Sequence, residues 1–151
     1  MPTVEARLAA FLAPYDPAIA RLARAARAKM RRRLPGAVEL VADTYTGLAI
    51  GWGPTERPRD AVLSLVVYPR WVNLFFLRGA SLDDPERLLQ GTGSRVRHIR
   101  LDAATVLDDP AVVRLVRQAA AKAVPPIDAK ARRRTRVFAQ TANRRARRSK
   151  A

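Results

Sequence analysis

A chain of 151 residues, 48% of them hydrophobic, is long enough to build a core without staples, and it contains no cysteine. Disulfides, thiolate metal sites, iron–sulfur clusters and cysteine nucleophiles are thereby excluded. A net charge of +16 attracts polyanions and repels cations. It points to nucleic acid or an anionic surface, unless the excess of arginine and alanine reflects a GC-rich genome.

The first helix is predicted over residues 4–12, stopping before Pro14. Asp16 then supplies a cap and Pro17 a first helical position for a second helix reaching about Leu34. Ile19, Leu22, Ala26, Met30 and Leu34 recur at helical spacing. Arg21, Arg24, Arg27, Arg31 and Arg32 fall on the other side, so this helix is read as amphipathic with a solvated basic back.

After Pro35-Gly36, residues 38–44 and 47–52 read as a hairpin. Residues 61–68 and 71–77 are richer in β-branched and aromatic side chains, and only Pro69-Arg70 separates them, which forces antiparallel pairing in the middle of a sheet. The two Asp-Asp-Pro runs, Asp83-Asp84-Pro85 and Asp108-Asp109-Pro110, resemble paired catalytic carboxylates. Each directly precedes a helical pattern, so both are read as caps: one for a short helix over 86–90, the other for a longer helix with Val112, Val113, Leu115, Val116, Ala119, Ala120 and Ala123 on its apolar face. A strand lies between them at 96–101.

The element order gives an α+β domain over 1–124: an antiparallel sheet of about five strands with helices on one face. From Pro125 the chain is strongly cationic and holds little apolar surface beyond Val137 and Phe138, so 125–151 is read as a disordered or partly helical arm. Its Arg132, Arg133, Arg134, Arg136, Arg144, Arg145, Arg147 and Arg148 are the expected contacts to nucleic acid, without sequence preference.

No catalytic constellation emerges, no cofactor is expected, and the protein is read as non-enzymatic. His98 is the single histidine, and its neighbours Arg97 and Arg100 supply no carboxylate to orient it. A lone imidazole among arginines also disfavours a transition-metal site. Gly91-Thr92-Gly93 is a helix stop, because it follows a helix and precedes a strand, the reverse of a dinucleotide loop. Trp52 and Pro54 in a Gly-Trp-Gly-Pro loop, with Tyr68, Trp71, Asn73, Arg97 and His98, are the candidate lining of a site for a small ligand or a protein on an open sheet face, or else a second minor core. The N-terminus lacks the unbroken apolar run of a secretory signal, and the apolar region 61–77 is broken by Pro69 and Arg70, so a cytoplasmic protein without a membrane partner is expected.

Gly51-Trp52-Gly53-Pro54, Tyr68-Pro69-Arg70-Trp71, Phe75-Phe76-Leu77, Gly79-Ala80, Asp84-Pro85, Leu88-Leu89, Gly91-Thr92-Gly93 and Val96-Arg97-His98-Ile99, in this order, resemble the YdhG-like family of small bacterial domains of unknown function. The likeness spans 38–123. It implies an α+β fold with a curved antiparallel sheet and no established enzyme activity. Some relatives are described as frataxin-like iron chaperones that use acidic surface carboxylates. The acids of this chain are few and mostly placed at caps, so iron handling is carried only as the alternative function.

Overall fold

The computed structural model describes residues 2–138. Within them three α-helices form where caps and prolines place them: α1 (Val4–Leu12), α2 (Pro17–Arg33) and α3 (Pro110–Ala121). Thr3 caps α1 by accepting from the Ala6 amide at 3.0 Å, Asp16 caps α2 through Ala18 at 2.9 Å, and Asp109 caps α3 through Ala111 at 2.8 Å. Each such cap contributes about 1 kcal/mol.

Among the described residues six strands form one sheet: β1 (Val38–Asp43), β2 (Leu48–Gly53), β3 (Leu63–Val67), β4 (Val72–Phe76), β5 (Arg97–Arg100) and β6 (Arg134–Phe138). Their spatial order is β5-β4-β3-β2-β1-β6. All pairings are antiparallel except β1 with β6, which is parallel. The architecture is therefore α+β with a mixed six-stranded sheet, where about five antiparallel strands were expected. The sixth strand lies inside the segment read as a free arm.

Before residue 138 that segment is also tied to the body by packing. Ile127 and Val137 pack against the core, and the backbone at Asp128 passes so close to Gly36 that a Cβ there would sit 1.8 Å from the Asp128 carbonyl oxygen. Gly36 also holds φ at +80, a conformation that glycine adopts without strain.

The short helix expected over 86–90 is a turn. Asp84 does cap, with its two carboxylate oxygens accepting from the Leu88 and Leu89 amides at 2.9 Å, but Arg87 takes φ 55 and breaks the helical path. Gln90 then leaves the turn as an isolated bridge to His98. Five residues burying only parts of Leu88 and Leu89 give too little packing to sustain a helix.

Strand alternation sorts the side chains onto two faces. Val41, Leu48, Ile50, Trp52, Leu63, Leu65, Val67, Val72, Leu74, Phe76 and Ile99 point toward the helices and make the core with Leu8, Leu12, Met30, Leu115 and Val116. Alanines at 20, 23 and 26 let α2 lie close to the sheet. The opposite face carries no helix among the described residues.

Candidate nucleic-acid interface

One buried polar cluster sits within the helix-facing layer, and the sequence pattern did not point to it. Glu39, on β1, is fully buried, yet its carboxylate accepts four hydrogen bonds. Arg27 gives two, from Nε at 2.9 Å and Nη2 at 2.8 Å; Trp52 Nε1 gives one at 3.3 Å and Thr135 Oγ1 one at 2.9 Å. Arg27 also grips the exposed Glu5 with two bonds of 2.9 and 3.0 Å. Arg27 therefore leaves the basic back of α2 to which the sequence assigned it. It falls in phase with the buried Ala20, Ala23 and Met30.

Burial alone would lower the pKa of Arg27, but its hydrogen bonds to Glu39 and Glu5 outweigh it and carry the guanidinium above its ordinary value. Glu5 is held below the usual carboxylate range, chiefly by its hydrogen bond to Arg27. Arg133 is pushed below the usual arginine range, by burial first and then by the charge of Arg31, while donating to the Arg31 carbonyl. The cluster joins α1, α2, β1, β2 and β6. Through Thr135 it fixes β6, and with β6 the positions of Arg134 and Arg136.

The predicted ligand residues divide between the two faces. Trp52 is buried on the helix side, bonded to Glu39, and cannot be stacked on. Arg97 shares that side, because it pairs with Phe76, and its guanidinium bonds the Gly93 and Val96 carbonyls. Pro54 begins the 54–61 loop, which crosses one end of the opposite face: a Cβ on Gly53 would lie 2.8 Å from Ala61 Cα.

Tyr68, Trp71, Asn73 and His98 do come together on the open face. Register makes two rows there. Arg100, Asn73, Val66, Ala49, Ala42 and Phe138 lie side by side across the six strands. The second row runs His98, Phe75, Ser64, Gly51, Leu40 and Arg136, with Ala61 lying against Gly51. Trp71 is 40% exposed, with its ring 5.8 Å from that of Tyr68 and the Arg100 guanidinium 5.2 Å above it. Burial raises the pKa of the Tyr68 phenol. Phe75 and His98 rings sit 5.4 Å apart. Across the sheet, Arg136 lies 4.6 Å over the Phe138 ring.

Of the expected nucleic-acid contacts, Arg132, Arg133, Arg134 and Arg136 are described, and Arg144, Arg145, Arg147 and Arg148 lie outside the described residues. Arg134 pairs with Glu56 of the crossing loop at 3.3 Å. Residues 2–138 hold 24 of the 29 basic residues and all 13 acids, a net charge of +11. Among the described residues no group of three or more histidine, aspartate or glutamate side chains gathers in a way that could hold a metal ion, and no helix is long and apolar enough to cross a membrane. No family model, curated protein or solved structure matches the chain.

Proposed function

We propose that this is a non-enzymatic cytoplasmic binding protein, related to the YdhG-like domains, that attaches to nucleic acid through a cationic surface without reading sequence. The observation that carries the reading is the seating of Arg132, Arg134 and Arg136 on or beside an edge strand pinned to the core, within a body whose net charge is +11 without the last residues. Fixed cations release phosphate counterions on binding while losing less side-chain and backbone entropy than a free tail would. Among the described residues no helix lies on this surface for insertion into a major groove, so phosphate contacts dominate.

Fluorescence anisotropy with a labelled oligonucleotide at several salt concentrations tests it. Affinity is expected to fall steeply with salt, and the triple change Arg132→Gln, Arg134→Gln, Arg136→Gln is expected to reduce the log–log slope by about 2. Absence of binding at low salt would remove the proposal. The alternative, iron handling, draws no added support from the carboxylates: Asp108 pairs with Lys29 and Arg33, Glu5 and Glu39 with Arg27, and Asp16, Asp84 and Asp109 accept from backbone amides.

A further inference from the structure

Charge alone would let any polyanion bind anywhere on this body. The open sheet face has a more particular chemistry. Its two rows place aromatic and cationic side chains at both sides of the sheet and small ones between them. Arg100, Trp71, Tyr68, Phe75 and His98 cluster over β3 to β5, and Phe138 with Arg136 stands on β6. Val66, Ala49 and Ala42 form a shallow floor between the ends. Six strands at about 4.8 Å spacing set the two ends about 24 Å apart, enough for a short run of extended nucleotides. The loop over Gly51 and Gly53 bounds one side of it.

An exposed indole, half-buried rings beside it and a guanidinium over each of Trp71 and Phe138 are together the complement of an unpaired nucleobase, which offers a π-face for stacking. Duplex buries those faces in its own stack.

We infer that the open face between Arg100–Trp71 and Arg136–Phe138 binds single-stranded nucleic acid by stacking bases on Trp71 and its aromatic neighbours. This rests on the nucleic-acid reading above and adds strand state to it. The specificity is for unpaired bases rather than for sequence, since stacking tolerates every base.

Trp71 reports directly on the proposal. In the full-length Trp52→Phe chain the remaining indole is Trp71, and a single-stranded oligonucleotide is expected to quench its fluorescence to saturation at a fixed stoichiometry, whereas inorganic polyphosphate and polyglutamate are not. Trp71→Ala in the otherwise native chain is expected to weaken single-strand binding by about 5- to 100-fold and to leave duplex binding unchanged, with Trp71→Phe restoring most of the loss. Because Trp71 is exposed, matching thermal melts will show these variants folded. Equal loss for single strand and duplex, or no loss for either, overturns the inference while leaving general polyanion binding in place. Quenching by polyglutamate would assign the face to an acidic polypeptide, and emission that depends on protein concentration alone would assign it to a second copy of this chain; either result overturns it. Failure to bind any nucleic acid overturns both readings.

Discussion

Replacing Arg27 by methionine removes two of the four hydrogen bonds to a carboxylate that water does not reach. The Glu39 charge then keeps Trp52 Nε1 at 3.3 Å, Thr135 Oγ1 at 2.9 Å, the Arg31 guanidinium, whose Nε stands 3.9 Å away, and the nearby charge of Arg133. Removing one member of a buried ion pair typically costs about 3–5 kcal/mol, because the partner's charge stays desolvated. Glu5 adds little to this sum, since its side chain is 69% exposed and rehydrates when released. Against a total stability of about 5–15 kcal/mol the loss is large, and it corresponds to a fall in Tm of roughly 6–20 °C for a chain of this size. Urea unfolding followed by circular dichroism measures it. The double change Arg27→Met, Glu39→Met removes both charges and is expected to be less destabilised than Arg27→Met alone, retaining a deficit of about 2 kcal/mol from the orphaned Trp52 and Thr135 donors. A cost below about 1 kcal/mol for Arg27→Met, or strictly additive single and double changes, would show that the pair is hydrated and refute the reasoning.

Three further outcomes follow from the same geometry. Thr135→Val removes one hydrogen bond to Glu39 and should cost about 1 kcal/mol overall while accelerating amide exchange in Arg134–Phe138 well beyond that in β3, read by hydrogen-exchange mass spectrometry. Gly36→Ala forces a Cβ into the Asp128 backbone at a left-handed φ and should lower stability by about 2 kcal/mol or more in a thermal melt. Glu5 has a folded pKa below its unfolded value, so its link to Arg27 stabilises fully above the ordinary glutamate pKa and is lost as pH falls through the lowered one; acid titration followed by NMR should loosen α1, at Leu8 and Leu12, before the sheet, and Glu5→Gln should abolish that step.

Much of the frame was legible in local chemistry. Asp16-Pro17 and Asp109-Pro110 mark helix starts because cap and first-turn requirements act over three residues, and Pro69-Arg70 leaves β3 and β4 one way to pair. The strand β6 was hidden by its arginines, although the alternation of Thr135 and Val137 inward with Arg134 and Arg136 outward is the pattern of a sheet edge. Partnering with β1 is a contact across roughly a hundred residues, which local composition cannot report.

Parity carried more of the site than its chemistry suggested. Leu48, Ile50 and Trp52 share one phase in β2, which already sends Trp52 to the core, while Trp71, Asn73 and Phe75 share the other in β4. Glu39 sits in phase with Val41 on the inner face of β1, and Arg27 in phase with the buried alanines of α2. Each is an isolated charge at a core position. Only the fold brings the two together, which is why neither could be assigned its partner from spacing alone.

Backbone amide shifts of the full-length protein, recorded while a single-stranded oligonucleotide is added, give the most direct test of where nucleic acid sits. The account predicts that perturbations concentrate at Ser64, Val66, Asn73, Phe75, His98, Arg100, Arg134 and Arg136, with Val112, Leu115 and Val116 of α3 unmoved. Shifts confined to the helical layer, with the open sheet face silent, would contradict it.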